Sequence, residues 1–317
     1  MSEILIYIVG VIAGFAFLIK GADFLVDGAS AIAAKFGIPS IIVGLTVVAI
    51  GTSMPELVVS AQAALSGFSD LSIGNVVGSN IANLLLILGV SAIIHELPFK
   101  ESTAKKENPF MLAVTILLLF LANNSGEHII NRFEGSILLI LCVLYLLYNI
   151  YMAKRNPVKD ENSEELMSFP KAIILIIVGI AGLKIGGDLV VNNATALARI
   201  IGISEKLISI TIVSIATSLP ELVTSITATM KGVVDIAIGN IIGSNIFNII
   251  LILGVSSIIS PINYAVSYNF DLLFLIGASL IFCIFPFIKK RYKMVKGQGI
   301  FFLGCYLLYV IQAVIKG

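Results

Sequence analysis

Charge is what this 317-residue chain has least of. Asp, Glu, Lys and Arg make up only 12% of it, against 58% hydrophobic residues and a mean hydropathy of +1.05. That balance excludes an ordinary soluble domain. A net charge of +1 gives no argument for a nucleic-acid partner. The three cysteines, Cys142, Cys283 and Cys305, stand alone in apolar segments without metal-ligand spacing, and read as buried thiols filling space. No Ser–His or Ser–Lys pair, HExxH or pair of membrane aspartates is evident, as an intramembrane protease would need. The chain is therefore not expected to be an enzyme, and no cofactor is implied. No basic residue precedes the first apolar stretch, Ile4 to Leu18, and no small-residue cleavage site follows it. It is expected to be a first span and not a removed leader.

What is present is apolar sequence in runs of about 20 residues, the length that crosses a bilayer. Ten spans are predicted, at about 3–33, 40–65, 71–95, 108–123, 129–153, 169–199, 205–230, 236–260, 268–288 and 298–315, giving an all-α membrane protein. The one clearly polar stretch, residues 154–168, separates a first five-helix unit (1–153) from a second (169–317). If the N-terminus lies outside, fourteen Lys and Arg fall in inside loops and their flanks and four fall outside. By the positive-inside rule both termini are expected outside and the linker in the cytoplasm, in a cell membrane.

The two units repeat. Glu56 aligns with Glu221 at an offset of 221 − 56 = 165, and the same offset pairs Gly21 with Gly186, Asp23 with Asp188, and Asn83 with Asn248. An odd number of spans per unit makes the units cross the membrane in opposite senses. That is the inverted-repeat plan of secondary transporters, whose sites lie near the midplane on broken helices. A channel built from repeats also fits this feature taken alone.

The repeated segments carry the chemistry. Ala49-Ile-Gly-Thr-Ser-Met-Pro-Glu56 and Ser214-Ile-Ala-Thr-Ser-Leu-Pro-Glu221 each place an ionisable side chain beside a proline in mid-span. Such a group is costly in lipid and marks function by default. Pro55 and Pro220 remove an N–H, so carbonyls at about 49–52 and 214–217 are expected to open, as hard oxygen donors. Thr52 with Glu56, and Thr217 with Glu221, share one helix face at i and i+4, and Ser53 and Ser218 add hydroxyls.

The next spans carry Gly74-Asn-Val-Val-Gly-Ser-Asn-Ile-Ala-Asn83 and Gly239-Asn-Ile-Ile-Gly-Ser-Asn-Ile-Phe-Asn248. Their glycines permit close helix approach. Asn75, Ser79 and Asn83 line one face, as do Asn240, Ser244 and Asn248, while Asn80 and Asn245 are expected to hydrogen-bond between helices. Two carboxylates with hydroxyl, amide and carbonyl oxygens suit Ca²⁺, and the lack of Cys and His argues against soft metals. Facing carboxylates repel without a cation between them, so protons should compete with cations.

The plainer readings differ by residue. A Pro-kinked helix with Thr and Ser is ordinarily just a kink, but a mid-span Glu beside it, repeated at 165, is not. Asp23 and Asp188 lie near Lys20 and Lys184 and read as structural ion pairs or interface anchors. For the asparagines, interhelical glue competes with site lining, evenly so at Asn75 and Asn240. His95 and His128 read as loop histidines.

These paired cassettes resemble the cation/Ca²⁺ exchanger family, in its sodium/calcium exchanger branch, over residues 21–94 and 186–259. The resemblance implies electrogenic antiport of several Na⁺ for one Ca²⁺ by alternating access, with lipid as the surroundings and no obligate protein partner. It implies Ca²⁺ between Glu56 and Glu221 with the carbonyls of Thr52 and Thr217. It implies Na⁺ ligands at Ala49, Ser53 and Ser79 and at Ser214, Ser218 and Ser244, with Asn83 and Asn248 flanking. It further implies that the first and sixth spans slide across the core. Three departures stand out: Ser214 for alanine, Ala216 for glycine, and Asn248 where many relatives have Asp. The last argues against K⁺ co-transport and leaves about −2 charge without a cation. The long cytoplasmic domain of animal exchangers has no counterpart in the short linker. A Ca²⁺/H⁺ exchanger on the same scaffold is the alternative; against it, the proton-coupled branch carries further acidic residues in its repeats, whereas Asn83 and Asn248 cannot titrate. A passive cation channel is a third reading.

Overall fold

Long apolar runs with few interior breakers set the architecture, which is helical throughout. The computed structural model describes residues 2–124, 128–158, 167–202, 217–290 and 292–316. The helices are α1 (Ser2–Phe36), α2 (Ser40–Thr52), α3 (Met54–Leu65), α4 (Leu71–Ile94), α5 (Thr103–Asn124), α6 (Arg132–Arg155), α7 (Phe169–Ile200), α8 (Leu219–Met230), α9 (Val234–Ile259), α10 (Tyr268–Ile288) and α11 (Lys296–Lys316). Among the described residues, eight helices are long and apolar enough to cross a membrane, or nine with α2 and α3 taken as one bent span. The seventh predicted span, 205–230, is described only from residue 217, where α8 forms its later half. Two span starts move. The fourth predicted span, α5, begins at Thr103, because Lys105, Lys106 and Glu107 sit inside its first turns and mask it in a hydropathy reading. The fifth begins at Arg132, where Asn131 Oδ1 accepts from the Phe133 and Glu134 backbone N–H groups and the Glu134 carboxylate accepts from the Asn131 N–H, a reciprocal cap.

Burial inverts the order expected of a soluble protein. The most buried helices are those that carry the Asn, Ser and Gly cassettes: 94% of the α9 window and 72% of the α4 window are inside, against 17% for α1 and α11. Polar residues are tolerated there because protein, and not lipid, surrounds them. The close-packed core runs through Ile73, Val77, Ile81, Leu85, Ile241, Phe247 and Ile250. Gly239 and Gly243 press α9 onto α2: a methyl on Gly239 would lie 2.6 Å from the Ile41 carbonyl oxygen, and one on Gly243 2.7 Å from that of Leu45. This is the close approach the small-xxx-small spacing predicts. The stretch equivalent to Leu45 for Gly74 and Gly78, within 203–216, lies outside the described residues.

α1 and α7 pack along their lengths. Gly14 faces Gly186 and Val190, Gly21 faces Gly179 and Leu183, and Gly28 faces Ala172 and Ile176, so rising numbers on one helix meet falling numbers on the other. The pair is antiparallel. Lipid gives helices no hydrophobic reason to associate, and backbone-to-backbone packing on glycine faces supplies the attraction instead.

Two features escape a hydropathy reading. Two-residue strands β1 (Leu97–Pro98), β2 (Ile129–Ile130), β3 (Ile262–Asn263) and β4 (Lys293–Met294) form antiparallel pairs, β1 with β4 and β2 with β3, each joining one unit to the other. π-helical turns also interrupt the long helices at Gly44–Val48, Ala82–Ile87 and Asn248–Leu253.

Candidate cation-binding site

The span expected to bend does so. Between α2 and α3 the axis turns by 45°, with Ser53 at φ −84°, ψ 6° and Pro55 in the first turn of α3. Ser218 takes the same place before α8, at φ −84°, ψ 2°, with Pro220 following. Proline suits a first helical turn, where its missing N–H has no partner to lose. Each break therefore puts a glutamate, Glu56 or Glu221, in the first turn of a new helix. The unpaired N–H groups at such an end favour a carboxylate. Both side chains are fully buried.

The Ala49 carbonyl does not open as the sequence suggested. The break falls at Ser53, so the Ser53 N–H still reaches Ala49 O at 3.0 Å, and Thr52 Oγ1 adds a bond at 3.2 Å. A carbonyl has further acceptor capacity, and Gly51 still faces a proline nitrogen with no hydrogen. Ser214 lies outside the described residues.

The cassettes from the two units interlock. Asn75 Nδ2 donates to the Glu56 carbonyl at 3.3 Å and to Ser60 Oγ at 3.0 Å, and its Oδ1 accepts from Thr217 Oγ1 at 3.3 Å. Asn240 does the same 165 residues on: it donates to the Glu221 carbonyl and to Ser225 Oγ at 2.9 Å, and accepts from Thr52 Oγ1 at 2.9 Å. These two amides brace the glutamate helices, which resolves their even reading toward glue. Asn80 Nδ2 bonds the Asn245 carbonyl at 3.0 Å, the expected interhelical contact, whereas Asn245 Nδ2 turns back to Ile241 of its own helix.

Inside that brace the oxygens converge. Ser53 Oγ donates to Glu221 Oε1 at 2.9 Å, across from one unit to the other. Ser79 and Thr217 hydroxyls meet at 3.3 Å, and Asn248 Nδ2 donates to Asn80 Oδ1 at 2.9 Å. Several buried atoms have no hydrogen-bond partner among the described residues: both Glu56 oxygens, Glu221 Oε2, Asn248 Oδ1, the Ser218 and Ser244 hydroxyls, and both side-chain atoms of Asn83. An unsatisfied buried polar group needs a partner such as water or an ion. These atoms all stand in the repeated cassettes, whereas others, at Asn108 among them, lie apart. Asn83 and Asn248 sit on the π-helical turns Ala82–Ile87 and Asn248–Leu253, a distortion that recurs at functional sites. Ser60, Ser225 and these turns were missed in the sequence; the serines carry the signal, since each stands four residues after its glutamate.

The groups read as structural behave so. Asp23 pairs with Lys20 at 3.7 Å and with Lys231 at 3.2 Å, and Asp188 pairs with Lys184. His95 is exposed and His128 lies in a loop. Among the described residues no cluster of three or more His, Cys, Asp or Glu gathers elsewhere as a metal site.

The family model described as "Sodium/calcium exchanger protein" matches residues 6–151 and 171–314. A putative antiporter, CaxA of Alkalimonas amylolytica, is 42% identical over 259 residues, covering 79% of this chain and 80% of that protein. Sodium/calcium exchanger MaX1 of Methanosarcina acetivorans is 32% identical over 336 residues, covering 94% and 95%. A solved structure of the sodium-calcium exchanger NCX_Mj superposes with a TM-score of 0.84 at 31% identity, over 97% of this chain and 99% of that one. Family and fold are those of transporters and not of enzymes. The chain is an integral, multi-pass membrane protein and belongs to the sodium/calcium exchanger protein family.

Proposed function

We propose that this protein exchanges Na⁺ for Ca²⁺ by alternating access, with the cations bound between Glu56 and Glu221. The observation that carries this is the set of buried oxygens from both units that lack a hydrogen-bond partner among the described residues while their helices are braced. Two carboxylates with Thr52, Thr217, Ser53, Ser218, Ser79, Ser244, Asn83 and Asn248 offer Ca²⁺ its six to eight oxygen ligands. Ala49 and Ser214 add carbonyls toward Na⁺. One charge-compensated occupant at a time lets the core cross, so competition for the two carboxylates couples the fluxes.

Ten spans in two inverted five-helix units, 1–153 and 169–317, fit the antiparallel α1–α7 pair and the bonds related by 165 residues. The basic residues favour both termini outside and the linker 154–168 in the cytoplasm. The test is ⁴⁵Ca uptake into proteoliposomes with Na⁺ and pH gradients imposed separately. Uptake driven by Na⁺ supports the reading. Uptake driven only by a pH gradient favours the Ca²⁺/H⁺ alternative, and uptake needing neither indicates a channel.

A further inference from the structure

The routes past the two glutamates are equivalent in sequence and unlike in structure. Beside Glu56, a cavity of about 260 Å³ opens between α3 and α7, lined by Val59, Gln62, Asp188 and Asn192 and ending at Thr217 and Pro220. The equivalent place, beside Glu221, lies between α8 and α1. There the helices touch, with Leu18, Ala22, Leu25 and Val26 packed against Leu219, Leu222, Val223 and Ala228. Val59 is 46% exposed, while Thr224, its counterpart at 59 + 165, is 0% exposed.

Among the described residues, the charge cluster across the two helices sits at the closed place. Lys231, just past α8, bonds Asp27 at 2.7 Å and Asp23 at 3.2 Å on α1. The counterparts of these three residues are Ser66, Asn192 and Asp188, and Asp188 pairs with Lys184 of its own helix. Among the described residues, the repeat therefore keeps an interhelical ion pair on one side and has none at the equivalent positions on the other. The two places are also far apart. Asp188 lies at the level of Gly14, which faces Gly186 and Val190, and from Gly14 to Asp27 is 13 residues of α1, about 20 Å of helix.

We infer that Lys231, held by Asp23 and Asp27, is a latch that keeps the route beside Glu221 closed and leaves the protein resting open on the Glu56 side. The latch holds α1, the helix joined to α7 by the glycine face, against α8. Both helices of that pair must shift if the routes exchange. Lys231 is 32% exposed, Asp23 28% and Asp27 49%, so the cluster is worth little per pair, and a bias it sets is modest and easily reversed. That suits a protein whose two states must both be visited. The inference rests on alternating access, and its test does not need transport.

In a chain with Cys142, Cys283 and Cys305 replaced by Ser, one cysteine is placed at Val59 or at Thr224, and the protein is held in nanodiscs with both faces open to a charged maleimide. Val59→Cys should label quickly, and Thr224→Cys should label slowly. Lys231→Gln should speed Thr224→Cys labelling about three- to tenfold. Asp23→Asn with Asp27→Asn should do the same from the acidic side, which guards against a folding fault particular to Lys231. Asp27→Lys with Lys231→Asp should return labelling toward the slow rate. The latch is overturned if Thr224→Cys labels as fast as Val59→Cys in the unaltered chain, or if neither uncharged variant changes its rate. Loss of Na⁺-driven uptake with these labelling differences intact would refute the exchange reading and leave the latch standing.

Discussion

Glu56 and Glu221 occupy equivalent places in nearly the same sequence, yet they are bonded differently. Glu221 Oε1 accepts a hydrogen bond from Ser53, while both Glu56 oxygens lack a partner among the described residues, as does the hydroxyl of Ser218 that could return the favour. Among the described residues, Asn248 donates to Asn80 while Asn83 has no such partner, and Ser79 meets Thr217 while the Ser244 hydroxyl has none. The bonding side chains are the same in both units, so the difference lies in how the units pack around them. The same residues license the mirror arrangement, with each bond handed to the other unit. Two packings of nearly equal energy are what alternating access requires.

The strongest way to break this comparison is to remove a charge. Glu56→Gln and Glu221→Gln should each reduce Na⁺-driven ⁴⁵Ca uptake about 100-fold or more, because a buried site that loses one of two charged ligands loses several kcal/mol. Loss in one variant with near-normal uptake in the other would mean that the two glutamates differ in chemistry as well as in setting. Acidification probes the same pair with the residues intact. Protons and cations compete for the carboxylates, so uptake at low Ca²⁺ should fall on acidification, by up to about tenfold per pH unit for each proton displaced, and recover at high Ca²⁺. Flat activity across the acidic range would count against a carboxylate site.

Where the halves are alike, a change should act on both. Gly21 meets α7 with its backbone, and a methyl there would lie 2.7 Å from the Leu183 nitrogen and 2.8 Å from the Gly179 carbonyl oxygen. Gly21→Val should lower stability by about 1–3 kcal/mol through overpacking, read as a drop in the thermal midpoint of the detergent-solubilised protein. Unchanged melting would show that α1 and α7 separate more easily than their glycine faces imply.

Much of this was legible in advance, for definite reasons. Proline, glutamate and asparagine are expensive in a membrane helix, so a doubled cassette of them could be read as a site without coordinates. The bend at Ser53, the bond from Asn80 to the Asn245 carbonyl, and the ion pairs of Asp23 and Asp188 follow from residue type and spacing. The π-helical turns at Asn83 and Asn248 did not show, because one extra residue in a turn leaves hydropathy unchanged. The strand pairs are two residues long and carry no pattern. Asp27 was passed over because its value lies in Lys231, 204 residues away. The unequal bonding of the two glutamates could not be read, since the residues that do the bonding, Ser53 and Ser218 with Glu56 and Glu221, are the same in both units.

The smallest expected effect sharpens the comparison most. Ser53 bonds Glu221 here, and by the mirror argument Ser218 bonds Glu56 in the other state. A hydrogen bond to a buried carboxylate contributes about 1.5–3 kcal/mol, but a bound cation takes over part of that role, so the net effect should be smaller. Ser53→Ala should weaken apparent Ca²⁺ affinity about three- to tenfold when Ca²⁺ is offered from the side of the Gln62 cavity, with little change from the opposite side. Ser218→Ala should do the reverse. Measuring initial rates in vesicles of known sidedness, with Ca²⁺ added to one face at a time, separates the two. If both variants weaken binding from the same face, the bond between Ser53 and Glu221 is an accident of packing and the two halves do not trade places.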